Sequence, residues 1–294
     1  MHFCHHLHQL YDNDGTKDDN IFAEEEVGLL FAQTTNWDTS LLYGGNFVDV
    51  IHVKFSTKEK FKKVSQPPLH NNFSFPHLVG SCNGLVCIFI LHDKLRDPIY
   101  IFNPITKEEV YLPELVVTER MCKGTSSGFG YISSTNLYKI VRIFYPSHPH
   151  KGQIQVYTLG SSCGWRDKGT TSINMETGMG GIHVNGIIYW LGVDSIGSFD
   201  LADEEFRFVS VPPFMVDLMS ASEEHCGLTS FGGYLCFYDH SQHMKIWSYK
   251  KKCGDKKESW CMEFDIQYED VLGSEVIVLM PLLLPKNNEI IFLM

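Results

Sequence analysis

The sequence predicts an all-β fold, a kelch-like β-propeller of about five to six four-stranded blades with one blade incomplete. Three observations carry this reading. A tight turn followed at once by an apolar strand recurs along the chain. Asn83-Gly84 opens into Leu85–Phe89, Asn185-Gly186 into Ile187–Leu191, Gly232-Gly233 into Leu235–Tyr238, and Asn287-Asn288 into Glu289–Leu293. Asn and Gly tolerate the positive φ that a two-residue hairpin turn requires. Aromatic landmarks at Phe102, Tyr157, Phe199 and Tyr249 recur at a mean interval of about 49 residues, close to the roughly 50 of a four-stranded kelch blade. The composition, with 44% hydrophobic residues, 20 Phe and 13 Tyr, favours sheet over helix.

Taken in order, residues 1–26 are polar and end in Glu24-Glu25-Glu26, so they are expected to lie outside the repeats as a poorly ordered segment. Residues 27–294 form the repeat domain. Leu41–Phe55 is expected to pair near Val276–Met294 and close the ring, because closure removes free sheet edges. Each repeat then shows a strand ending in an aromatic: Tyr100–Phe102, Val156-Tyr157, Ser198-Phe199 and Ile246–Tyr249. A polar loop follows in each case: Asn103–Lys107, Thr158–Gly164, Asp200–Asp203 and Lys250–Glu258. A second strand returns antiparallel through Glu109–Leu112, from Trp165 onward, and through Glu205–Val211 and Trp260–Ile266. The turn-plus-apolar-strand device supplies the inner strands of the same period. Gly128-Phe-Gly-Tyr131 with Tyr138–Phe144 fills that slot in the second repeat.

Charge and cysteine usage narrow the function classes. The net charge of −11 excludes nucleic acid as a general partner, since phosphate binding needs a basic face. The lysine-rich stretch at Lys250–Lys257 reads as a solvated hairpin loop. No apolar stretch reaches the length of a membrane span and no apolar leader follows Met1, so no membrane partner is expected. Nine cysteines lie without a disulfide frame, four of them (Cys82, Cys87, Cys236, Cys261) inside apolar strands. Free cysteine there behaves as a small hydrophobe, and the expectation is a reducing location, cytoplasmic or nuclear.

Several fragments in order carry a family resemblance. Gly80-Ser-Cys-Asn-Gly-Leu-Val-Cys87 leads, followed by Phe102-Asn-Pro-Ile-Thr106 and Leu112-Pro113. Gly128-Phe-Gly-Tyr131 with Tyr138-Lys-Ile-Val-Arg142, Val156-Tyr157 with Trp165-Arg166, Asn185-Gly186 with Tyr189-Trp-Leu191, and Phe199-Asp-Leu201 with Phe206 complete the series. Over roughly residues 40–294 the chain resembles the plant F-box-associated domain. The resemblance implies a propeller that holds a target protein, while an N-terminal F-box recruits the Skp adaptor of a cullin–RING ubiquitin ligase. No leucine- and proline-rich F-box is read before residue 40, so Skp adaptor and cullin are expected as partners only if an F-box lies upstream.

Candidate chemistry was weighed residue by residue. His2, Cys4, His5, His6 and His8 are the densest group of metal-ligand types, but a frayed terminus supplies neither fixed geometry nor partners to orient each imidazole. Gly124-Thr-Ser-Ser-Gly128 spells a nucleophile elbow around Ser126, a motif that works only on a strand-to-helix turn. Glu223-Glu224-His225-Cys226 joins carboxylate, imidazole and thiol, but neighbours on a strand point to opposite faces, so a connecting loop is the reading. No catalytic, cofactor-binding or metal-binding residue is therefore assigned, and no enzyme is expected. Trp165, Trp190, Trp247 and Trp260 have two readings, as packing between blades or as anchors lining the ring mouth.

The expected function is a protein-interaction module like the substrate-recognition part of an SCF-type ubiquitin ligase. The alternatives are an F-box-less decoy or truncated product that binds without ubiquitination, and a propeller hydrolase or sugar binder. Target binding is expected at loops of one rim, led by Val116–Ser127, Ser147–Gly152 and Phe214–Glu224.

Overall fold

The fold was read from a computed structural model. It describes residues 3–6, 28–34, 48–54, 62–65, 76–92, 95–103, 106–113, 122–146, 151–173, 180–212, 226–239, 241, 243–251, 258–267, 280–283 and 290–293. Among these residues every regular element is a strand. The chain divides into two compact units, Met1–Thr118 and Glu119–Met294.

The first unit holds two four-stranded sheets. Strands β1 (Phe3–His6), β2 (Gly28–Thr34), β3 (Val48–Lys54) and β4 (Lys62–Ser65) pair in sequence order, as do β5 (Pro76–Cys82), β6 (Leu85–His92), β7 (Leu95–Phe102) and β8 (Glu109–Tyr111). The second unit holds three more. Its third sheet comprises β9 (Cys122–Ile132), β10 (Leu137–Pro146), β11 (Gly152–Thr158) and β12 (Arg166–Thr171). The fourth comprises β13 (Ile182–Val184), β14 (Ile187–Leu191), β15 (Ile196–Asp200) and β16 (Glu205–Val209). The fifth comprises β17 (Cys226–Phe231), β18 (Tyr234–Asp239), β19 (Met244–Lys251) and β20 (Glu258–Ile266), and a two-stranded sheet of β21 (Met280–Leu283) and β22 (Ile290–Leu293) follows. All are antiparallel meanders. Among the described residues there are five four-stranded sheets and one of two strands, in line with the expected five to six blades with one incomplete.

The recurring turn has the backbone that its residues demand. Asn83 and Gly84 between β5 and β6 have φ of 47° and 78°, Asn185 and Gly186 between β13 and β14 have 49° and 82°, and Gly232 and Gly233 between β17 and β18 have 55° and 78°. Two consecutive positive φ values define the primed turn whose twist suits a tight hairpin. Asn287-Asn288 lies outside the described residues.

Sheet faces pack on one another. Strand β14 shows how: Ile188 and Trp190 join Val141, Ile143, Ile154 and Val156 of the third sheet. The alternate residues Ile187, Tyr189 and Leu191 join Leu228, Leu235 and Tyr249 of the fifth. A strand covered on both faces is apolar at every position, as in the run Ile-Ile-Tyr-Trp-Leu. The fourth strands are outermost, and β8 is exposed at all three positions.

The strands that meet between neighbouring sheets are the first and second ones: β13 and β14 both approach β9 and β17, and Gly181 N–H donates to Ser127 O at 2.7 Å. The predicted inner strands Leu85–Phe89, Ile187–Leu191 and Leu235–Tyr238 sit second in their sheets. Convergence crowds the first strands, which favours the small residues of Gly124–Gly128 over bulky apolar ones. The segment placed outside the repeats contributes β1 to the first sheet, with Phe3–His6 facing Leu29–Ala32. Backbone pairing does not need the apolar side chains on which that boundary was drawn. The expected closing pairing of 41–55 with 276–294 falls largely on residues outside those described.

Candidate interaction surface

In each meander the first-to-second and third-to-fourth connections lie at one end, and the second-to-third connection and the exit lie at the other. Hence Thr158–Gly164, Asp200–Asp203 and the last residues of β19 share an end with the two-residue turns. Pro146, Lys151 and the first residues of β9 and β17 lie at the opposite end. Val116–Ser127 was expected to be irregular, but Cys122 to Ser127 belong to β9, paired with β10 from Pro146 to Arg142. Their small polar side chains hide a strand that is held by the apolar β10 beside it. Residues 116–121, 147–150 and 214–224 are outside the described residues.

At the turn end of the third and fourth sheets a charged cluster joins β10, β12 and the β15–β16 turn. Asp200 builds that turn, its Oδ1 accepting the N–H groups of Ala202 at 2.8 Å and Asp203 at 3.1 Å. The chain then places Glu204 at φ 57°, which aims its carboxylate back at the third sheet. Lys139 Nζ lies 2.9 Å from Glu204 Oε1 and donates to Leu201 O at 2.5 Å. Arg166 donates Nη1–H to Oε2 at 2.7 Å, and Nη2–H to both Oε1 and Thr158 Oγ1. Lys168 also pairs with Oε2. Burial pushes the Glu204 carboxyl up, but the hydrogen bonds from Arg166, Lys168 and Lys139 outweigh it and hold the group at about 2. The Glu204 bond likewise pushes the Arg166 guanidinium up.

Beside the cluster stands Trp165, half-exposed. The buried Arg142 guanidinium lies 3.9 Å from the centre of its ring and also donates to Gln155 Oε1 at 2.9 Å. Tyr157 packs against Trp165 with ring centres 5.5 Å apart. One turn further, His183 Nε2 lies 3.1 Å from the backbone N of Gly186, and 3.3 Å and 3.2 Å from the backbone N and O of Tyr131, so whether it donates or accepts follows the tautomer. The imidazole occupies the space where a Cβ on Gly130 would stand, with Cδ2 only 2.4 Å from that position.

The four tryptophans thereby separate. Trp190 is buried between the third and fourth sheets, donating Nε1–H to Ser127 O at 3.3 Å. Trp247 is buried against Phe237 in the fifth sheet, and Trp260 donates to Ser210 O at 2.6 Å across to the fourth. Trp165 packs within its own sheet and stands at the turn end. Ser126 lies inside β9, 2% exposed, with no strand-to-helix elbow around it. Cys4, His5 and His6 fall on β1, while His2, His8 and Glu223–His225 are outside the described residues, and Cys226 opens β17. Sequence reasoning passed over Lys139, Arg166, Lys168 and Glu204. The available signal was the pair of cations, Lys139 and Arg142, embedded in the apolar run Tyr138–Phe144.

The sequence profile of the F-box associated beta propeller domain matches residues 45–294. The chain belongs to this family. Relatives of this F-box associated propeller include the F-box protein At3g07870 of Arabidopsis thaliana, 28% identical over 260 residues, covering 78% of this chain and 59% of the relative. The Arabidopsis F-box/kelch-repeat protein At3g23880 is 29% identical over 145 residues, covering 46% of this chain and 38% of the relative. The matches thus span about half the length of these relatives. The family hallmarks acquire physical roles in the propeller: Asn83-Gly84 and Asn185-Gly186 are primed turns, and Gly130 of Gly-Phe-Gly-Tyr admits His183 from the next sheet.

Proposed function

We propose that this F-box associated propeller is a protein-interaction module that holds a target protein in the manner of the substrate-recognition part of an SCF-type ubiquitin ligase. The family match over residues 45–294 is the observation that carries it, and the similarity to F-box proteins supports the ligase context. The scaffold suits the role: rigid sheets covered on both faces hold turns at their ends, and recognition concentrates on such connections. No catalytic role is assigned. Among the described side chains no cysteine takes part in a disulfide, in keeping with a cytoplasmic or nuclear setting.

The test is proximity labelling with the tagged chain in plant cells, followed by reciprocal co-precipitation and half-life measurement of each partner. A partner whose turnover slows when the chain or the Skp adaptor is depleted supports the reading. Partners whose turnover ignores both would leave binding in place and remove the ligase role.

A further inference from the structure

We propose that strand β16 pairs with β16 of a second copy of this chain, antiparallel and across a two-fold axis at Phe206. The occupant of the edge is the chain itself, so the inference does not depend on the target-binding reading above.

The argument begins with the outer edges of the four-stranded sheets of the second unit. Each fourth strand has one hydrogen-bonded neighbour among the described strands, so each offers a row of backbone groups to another chain. Two of these edges are guarded. The β11–β12 ladder shifts register between Gln153 and Gln155, and Gly169 on β12 stands at φ 88°. The β19–β20 ladder shifts between Ile246 and Trp247. Irregularities of this kind bend an edge away from pairing. Strand β16 has none: it pairs with β15 in unbroken register from Glu205 to Val209. Nor does it carry lysine or proline, the usual protecting residues. Its Phe208 is 54% exposed.

The sequence of β16 is complementary to itself. With Phe206 opposite Phe206 of the second copy, Glu205 of each chain faces Arg207 of the other on one side of the paired strands. Within one copy these two side chains lie 2.6 Å apart and are both exposed, so neither leaves a buried site to reach across. On the other side, Phe206 and Phe208 meet edge to face with ring centres 5.6 Å apart. The diagonal places Phe208 beside Phe206 of the second copy, within reach of aromatic rings. Local charge does not oppose the approach. Arg207 and the three cations on Glu204 are balanced by Glu204, Asp203 and Glu205, with Asp167 and Asp200 nearby. An isologous contact of this kind closes at two copies. One pair of short strands buries less than a standard interface, which makes the dimer weak and concentration-dependent.

The test is sedimentation velocity on the whole chain at rising protein concentration. Wild type should pass from monomer to dimer. Arg207→Glu alone and Glu205→Arg alone should each weaken self-association by about tenfold or more, since like charges then face each other across the axis. An equimolar mixture of the two variants should recover the dimer, because the acidic strand of one then faces the basic strand of the other. Circular dichroism and melting temperature establish that both exposed variants remain folded, and recovery in the mixture separates lost pairing from a defect of folding. A wild type that stays monomeric at every concentration overturns the proposal. So does a single variant that dimerises as wild type does, or a mixture that remains monomeric.

Discussion

Asn185 donates its side-chain amide to the backbone carbonyl of Gly233 across 2.7 Å, so the two-residue turn of the fourth sheet is fastened to that of the fifth. Asn185 therefore has two separable duties, a positive φ of 49° and a tie between sheets. Asn185→Gly keeps the first and loses the second, and Asn185→Ala loses both. The expected order of denaturation midpoints is wild type, then Gly, then Ala. The tie contributes about 0.5–1.5 kcal/mol, and left-handed backbone on alanine adds about 1 kcal/mol. Equal midpoints for the two variants would remove the conformational role.

Gly84→Val should cost about 1–3 kcal/mol, because a β-branched residue must adopt the φ of 78° found there. Gly254→Val, in the lysine-rich loop outside the described residues, should leave the melting temperature unchanged. Calorimetry of the two variants side by side decides the matter.

Glu204 gives stability an acid limb. Its carboxyl is held at about 2 in the folded chain against an ordinary value of 4.5. A depressed folded value means that the contribution is complete above about pH 4.5 and is lost as pH falls toward 2. Glu204→Gln should destabilise the protein by about 2–3 kcal/mol at neutral pH, since it leaves Lys139 buried without its anion. Wild type and variant should converge as pH approaches 2, measured as unfolding midpoint against pH. A gap that stays constant with pH would show that the carboxylate charge is not what matters.

Gly130→Ala tests the close approach of the third and fourth sheets. The added Cβ would fall 2.4 Å from His183 Cδ2 and 2.7 Å from Leu201 Cδ1, closer than real contacts allow. Displacing both groups should cost about 1–3 kcal/mol. Gly130→Ala combined with His183→Ala should recover part of the loss, as expected of a steric conflict between neighbours. Additive losses would place the cost elsewhere.

Much of the fold was legible because local chemistry and global pairing agree in this chain. Asn-Gly and Gly-Gly can enter positive φ with little strain, so their turns announce themselves without neighbours, and the strands after them are apolar because both faces are covered. The family followed from the same local marks. Sequence polarity failed where backbone pairing does not depend on it. Phe3–His6 and Cys122–Ser127 read as irregular, yet both form strands because a neighbouring strand supplies their hydrogen bonds.

The candidate surface was of the opposite kind. Lys139, Arg166, Lys168 and Glu204 are spread over 66 positions, with no spacing rule to link them, and they meet only when the β15–β16 turn of one sheet is packed on the strands of another. The same holds for Trp165 and Trp260, partly exposed yet indistinguishable in sequence from the buried Trp190 and Trp247. By itself the sequence determined the repeat, its turns and its strands, since those depend on backbone preferences and on the alternation of faces. Which charges share a carboxylate, and which tryptophans are fully buried, was decided by sheet-on-sheet packing, because ion pairing and burial depend on distances that only the tertiary structure sets.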